Sequence, residues 1–123
     1  MDSSKYFSKA ELQCKCGCEQ APMDSQFLMM LDELREKLNK PLRVSSGFRC
    51  PSHNNKVSGT GETGPHTTGM AIDLAVDRTF AYEVLKIAMS MGFTGIGVKQ
   101  KGGGRFLHLD TITEGLRPTI WSY

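Results

Sequence analysis

Gly64-Pro-His-Thr-Thr-Gly-Met-Ala-Ile-Asp-Leu74 and Phe106-Leu-His-Leu-Asp110 are the two stretches whose reading decides the fold. From Met70 to Val76 the side chains alternate, with Ile72, Leu74 and Val76 on one side of a strand and Ala71, Asp73 and Ala75 on the other. Asp73 therefore faces away from the apolar layer. Over Phe106 to Thr111 the same alternation puts Leu107 and Leu109 on the apolar side and Phe106, His108 and Asp110 opposite. Two such strands side by side converge Asp73 and His108 on one cleft. His66 stands seven positions before Asp73, on a segment with Gly64, Pro65 and Gly69 that can turn back over the strand end.

His66, Asp73 and His108 are ligands of catalytic-zinc type. Imidazole nitrogen and carboxylate oxygen are what zinc takes in hydrolytic sites, where three protein ligands leave a fourth position for water. A lone histidine is more often an ordinary surface or core residue. Three matched donors on compatible faces, in a chain with only 3 histidines, point instead to one catalytic zinc ion and a hydrolase.

Around this centre the chain reads as α+β. From Asp24 or Ser25, either of them a fair N-cap, Phe27, Leu28, Leu31, Leu34 and Leu38 recur at helical spacing until Asn39 and Pro41 stop the run. Leu42 to Ser46 follows as a short strand that delivers Gly47, Phe48 and Arg49 to its end. A second helix is expected from about Thr79 to Met91, with Phe80, Val84, Ile87, Ala88 and Met91 inward and Gly92 as its stop. Gly95 to Val98 and Arg105 to Thr111 form a hairpin around Lys101-Gly-Gly-Gly. The expected architecture is a small antiparallel sheet with helices packed on one face and the zinc cleft on the other. Met29, Met30, Met89 and Met91 sit in helices and read as packing.

The chain resembles the zinc D-Ala-D-Ala carboxypeptidases and their phage endolysin relatives, which share the hedgehog/D,D-peptidase fold. The likeness rests on five segments in order: Ser45-Ser-Gly-Phe-Arg-Cys-Pro-Ser-His-Asn54, Gly64-Pro-His-Thr-Thr-Gly-Met-Ala-Ile-Asp73, Gly92-Phe-Thr-Gly-Ile-Gly-Val98, Leu107-His-Leu-Asp110 and Arg117-Pro-Thr-Ile-Trp-Ser-Tyr123. It implies zinc-dependent cleavage of peptidoglycan stem peptides or cross-links, with His66, Asp73 and His108 as the ligands. A noncatalytic, zinc-stabilised wall-binding or interaction module is the alternative that the same fold allows.

A peptidase acting on a free terminus or a peptide carbonyl needs a fixed cation near the developing oxyanion, and Arg49 is the candidate. The resemblance assigns the same work to the arginine of the Ser-Gly-Phe-Arg motif. The bland alternative is a solvated Arg or a structural ion pair. His53, four residues on, reads as a substrate-binding residue or as a cap on the Asn54 turn. Several relatives carry Glu or Asp three residues before the last zinc histidine; that position here is Arg105, which cannot accept a proton. Asp110, on the His108 face, is the substitute expected as general base, with orientation of a ligand imidazole as its other reading. Glu62, in the Gly59-Thr-Gly-Glu-Thr-Gly64 stretch, is a weaker candidate and reads more simply as a solvated loop carboxylate.

Cys14, Cys16 and Cys18 form a Cys-Lys-Cys-Gly-Cys cluster, and Cys50 adjoins Arg49. One-residue spacings suit the usual zinc knuckle poorly, since it prefers two to four intervening residues. A disulfide from one of the three to Cys50, free thiols, and a four-thiolate metal site all stay open.

At 123 residues the chain is expected to be one zinc peptidase domain, 1–123, with a Cys-containing N-terminal arm over 1–22, and a monomer is expected. The net charge of +2 comes from dispersed Lys and Arg rather than a basic stripe, so nucleic acid is not indicated. No apolar run approaches the roughly 20 residues of a membrane span. Met1-Asp-Ser-Ser-Lys-Tyr-Phe-Ser8 has no apolar stretch of signal-peptide type. The expectation is a protein made in the cytoplasm that reaches bacterial cell wall after release, as a phage or prophage lysin does, with a peptidoglycan peptide as its partner.

Overall fold

The computed structural model describes residues 4–123, so the first three residues of the N-terminal arm, and of the segment read as carrying no signal peptide, lie outside the described residues. In chain order the elements are α1 (Lys9–Leu12), α2 (Ser25–Leu38), β1 (Val44–Ser46), α3 (Pro51–Val57), β2 (Ala71–Leu74), α4 (Arg78–Met91), β3 (Gly95–Lys99), β4 (Phe106–Asp110) and β5 (Thr119–Ser122). Short 3-10 turns at Gly61–Thr63 and Pro65–Thr67 lead into β2.

The two long helices form where their apolar residues recur and where polar caps close their ends. Asp24 is the N-cap of α2, accepting from the Phe27 N–H at 2.9 Å, and Asn39 ends the helix in the left-handed region at φ 52°. Gly92 ends α4 in the same way at φ 93°. Phe27, Leu28, Leu31, Leu34 and Leu38 of α2 are buried, as are Ala81, Val84 and Ala88 of α4. They share one core with Ile72, Leu74, Ile96, Leu107 and Leu109 of the sheet, each large side chain contributing about 1.5–3 kcal/mol by leaving water. Ala81 is a buried position that the helical reading passed over; Phe80, Ile87 and Met91 pack at the core's margin.

The sheet has the order β1-β2-β4-β3-β5. Its pairings are antiparallel except the last, where β5 runs parallel to β3. The purely antiparallel sheet expected from sequence is corrected at this edge. β4 already occupies one side of β3, so the chain returning after β4 pairs with the other, and reversing once relative to β4 makes it parallel to β3.

The N-terminal arm is also more than a tail. Ser8 and Glu11 form a reciprocal capping box on α1, and Phe7, Leu12 and Cys14 are buried in the common core. The Phe48 N–H donates to Leu12 O at 2.8 Å, which docks the arm on the segment leaving β1. A Cβ on Gly47 would lie 2.6 Å from Leu12 O, so only glycine allows this approach. Among the described residues, no helix is long and apolar enough to cross a membrane.

Candidate metal centre and cleft

Strand alternation leaves Asp73, His108 and Asp110 on the sheet face opposite the helices, and the β2–β4 register pairs Asp73 directly with His108. His66 arrives from the turn Pro65–Thr67, which is closed by the Thr67 N–H and hydroxyl, both donating to Gly64 O, at 3.0 and 2.7 Å. Gly69 then reverses the chain at φ 76°, passing so close to the arm that a Cβ there would lie 2.2 Å from Pro22 O. The three sequence-selected donors are thus brought together, and all three are buried.

Their hydrogen bonds decide what the cluster can hold. Gly47 O sits 2.8 Å from His66 Nδ1, and a carbonyl can only accept, so Nδ1 carries the proton and the Nε2 lone pair points inward. Asp110 Oδ2 sits 2.8 Å from His108 Nε2, which likewise leaves the His108 Nδ1 lone pair inward. Both inward nitrogens face one oxygen, Asp73 Oδ1, at 3.2 and 3.1 Å. Two lone pairs and a carboxylate cannot face one another without a cation between them. The donor set therefore fits a divalent metal, with Gly47 O and Asp110 as the outer partners that fix both tautomers. In the metal-free protein a proton on His108 takes that place. Burial pushes the Asp73 carboxyl up, but hydrogen bonds from His108 and His66 outweigh it and hold the group at about 2. Burial lowers the His108 imidazole, and hydrogen bonds to Asp110 and Asp73 outweigh that and raise it.

Arg49 lies beside this set. Its Nε donates to Ser46 Oγ at 3.2 Å, its Nη1 to Asn54 Oδ1 at 2.9 Å, and its Nη2 is 3.6 Å from Asp73 Oδ2. Asn54 is itself buried and donates to Thr60 Oγ1 and to Gly61 O, so the guanidinium is aimed by a chain of hydrogen bonds. The sequence reading saw Asn54 only as a turn.

Asp110, expected as general base, is not among the residues lining the cleft. It is fully buried; Oδ1 accepts from Arg117 Nε at 3.0 Å and Oδ2 from Arg117 Nη2 at 2.8 Å, besides its bond to His108. Burial pushes its carboxyl up, while the hydrogen bonds to His108 and Arg117 hold it down at about 2. It meets the His108 ring at Nε2, on the edge away from Asp73, a position that suits the orienting group of its other reading. His53 does not line the cleft either. Glu62 is exposed, and Arg105 lines a separate groove with Asp77 and Arg78.

The cleft over the donors has a volume of about 630 Å³. Arg49, His66, Asp73 and His108 form its floor, and Phe106, Trp121 and Tyr123 a wall. Trp121 packs on the His108 ring at 5.0 Å between centroids, and Phe106 on Tyr123 at 4.9 Å. β3 makes room for these groups by carrying Gly95 and Gly97 opposite Asp110 and His108. A Cβ at Gly95 would meet the Asp110 carboxylate at 2.2 Å, and one at Gly97 would meet Trp121 Nε1 at 2.7 Å. Gly95-Ile-Gly97 was the available signal, because two glycines at strand period mark a face on which something approaches closely.

Comparison with known proteins agrees with this geometry. The peptidoglycan L,D-endopeptidases MepK of Escherichia coli strain K12 and of Shigella flexneri are each 30% identical to the chain over 76 residues, covering 58% of this chain and 41% of the relative. The chain thus spans about two fifths of the length of the curated relatives it matches. The sequence model of the family described as Peptidase M15 matches residues 5–110, a span that runs from the arm through the Arg49 segment and the His66 turn to the end of β4. With that much of the chain inside the match, and both imidazoles with the carboxylate between them falling within it, the protein belongs to the peptidase M15 family.

Proposed function

We propose that the chain is a zinc-dependent peptidase that hydrolyses stem peptides or cross-links of peptidoglycan, with His66, Asp73 and His108 holding one zinc ion on the sheet face turned away from the helices. The observation that carries this reading is the convergence of two imidazole lone pairs on Asp73 Oδ1 at 3.2 and 3.1 Å, an arrangement that asks for a cation. The matched relatives, named as peptidoglycan L,D-endopeptidases, supply the substrate class.

Zinc held there would supply a Lewis acid and a water whose pKa falls toward about 7. The protein's own residues do the rest. Gly47 O and Asp110 keep His66 and His108 in the tautomers that present lone pairs to the ion. Arg49, fixed by Ser46 and Asn54, offers its guanidinium to the carbonyl oxygen as negative charge grows on it, or to a substrate carboxylate. Partial desolvation raises the Tyr123 phenol above its ordinary pKa, so it stays protonated and can donate from the cleft wall. Phe106 and Trp121 exclude water around the bound peptide.

One observation favours a second reading, a zinc-stabilised wall-binding module without turnover: Asp73 is the one carboxylate among the residues lining the cleft. Digestion of purified peptidoglycan, with the products sequenced by mass spectrometry, separates the two. The peptidase reading expects new free amines at one defined bond, and the bond's position tells a D,D- from an L,D-specificity. Binding to the wall with no released peptide supports the module and overturns the enzyme.

A further inference from the structure

A second group of donors lies away from the catalytic cleft. Cys14, Cys16, Cys18 and Cys50 carry free thiols whose sulfurs all lie within 4.8 Å of one another. Cys14 Sγ is 3.4 Å from Cys16 Sγ and 3.7 Å from Cys50 Sγ, and Cys16 Sγ is 3.6 Å from Cys50 Sγ. Four sulfurs placed tetrahedrally at about 2.3 Å from a zinc ion stand about 3.8 Å apart. The separations among Cys14, Cys16 and Cys50 are close to that figure, and Cys18 lies within 4.8 Å of each of them.

The backbone builds this arrangement despite the one-residue spacings. The Cys14 N–H donates to Gln20 O at 2.8 Å and closes the loop. Gly17 at φ 96° and Glu19 at φ 60° then curl it tightly, so that alternate residues point inward rather than to opposite faces. Cys50 is brought in from 36 residues away by the docking of Phe48 on Leu12, and its own N–H donates to Cys14 Sγ at 3.3 Å. That bond is of the kind that steadies a thiolate. Four protein ligands complete a tetrahedral shell and leave no position for water, which makes a structural site and not a catalytic one.

We propose that Cys14, Cys16, Cys18 and Cys50 bind a structural zinc ion that clamps the N-terminal loop to the segment carrying Arg49. The position of Cys50 next to Arg49 gives the clamp a reach into the cleft, since the Arg49 N–H donates to His66 O at 3.0 Å. Holding this segment fixes both the guanidinium and the His66 turn.

Elemental analysis of the purified full chain, made and kept under reducing conditions, tests the proposal. About two zinc ions per chain are expected in the wild type, falling to about one in Cys16→Ser/Cys18→Ser. The His66→Ala/Asp73→Ala/His108→Ala variant should keep about one, so failure of the catalytic assignment and failure of this one read differently. Cobalt substituted into the wild-type protein removes any dependence on how the variants fold: an intense thiolate-to-cobalt charge-transfer absorption in the near ultraviolet is expected. Its absence overturns the site. So does a native, unreduced protein lighter than the reduced chain by two hydrogens per bond, because that is the signature of disulfides.

Discussion

Asp73 Oδ1 meets both imidazoles, and the partners behind those imidazoles set their protonation, so single substitutions around this atom should have distinguishable effects. Asp110→Asn is the most informative. A general base lost from the cleft would lower turnover and leave the metal bound; an orienting group lost from behind His108 should weaken zinc affinity by about 10- to 100-fold, with activity following. A zinc titration against a competing chelator decides between them, and unchanged affinity with lost turnover would restore the base. The same carboxyl makes a prediction about acid stability of the metal-free protein. Its folded pKa of about 2 lies below the roughly 3.9 of an unfolded Asp, so its contribution is present above pH 4 and disappears as pH falls toward 2. Thermal melts across that window should show a smaller loss in Asp110→Asn than in the wild type. Arg49→Ala should keep the zinc and lose about 100- to 1000-fold in rate, and unaltered kinetics would reduce Arg49 to a structural ion-pair partner of Asp73. At this scale the sequence was legible in part. Strand alternation reports which face a side chain takes, and that put Asp73, His108 and Asp110 together. It does not report which edge of the His108 ring each carboxylate meets, and that edge decides whether Asp110 faces the cleft or stands behind the ring.

Elements place these side chains, and glycines set how closely the elements approach. Gly95→Ala pushes a methyl into a carboxylate held on all sides, so it should destabilise the fold by about 1–3 kcal/mol and disturb His108 through Asp110. Denaturant melts of the metal-free and zinc-loaded protein check this; a neutral effect would mean that β3 can move aside. Helices α2 and α4 could be read almost to the residue because periodic apolar positions and left-handed caps are local signals. α1, α3 and β5 could not. Helices of 4 and 7 residues are not stable alone, and an edge strand with alternate exposed residues forms only because β3 offers it an unpaired edge. β5 nevertheless carries Trp121 onto His108, so part of the cleft depends on a pairing that no local pattern announces.

Across the whole molecule, one hydrophobic core runs from Phe7 in the arm to Leu109 in β4, and the polar cluster lies on the sheet face turned away from it. Core burial holds the strands in register, and the register alone puts Asp73 opposite His108. The charge cost of that opposition is what a bound cation relieves, so metal and fold should reinforce each other. The central claim is that His66, Asp73 and His108 hold the zinc on which hydrolysis depends. It is tested most directly by peptide release from purified peptidoglycan after chelation and stepwise return of zinc, in the wild type and in His108→Ala. Chelation is expected to abolish release, and returned zinc to restore it in the wild type and not in His108→Ala. Full peptide release by the chelated protein, or equal restoration in His108→Ala, would contradict it.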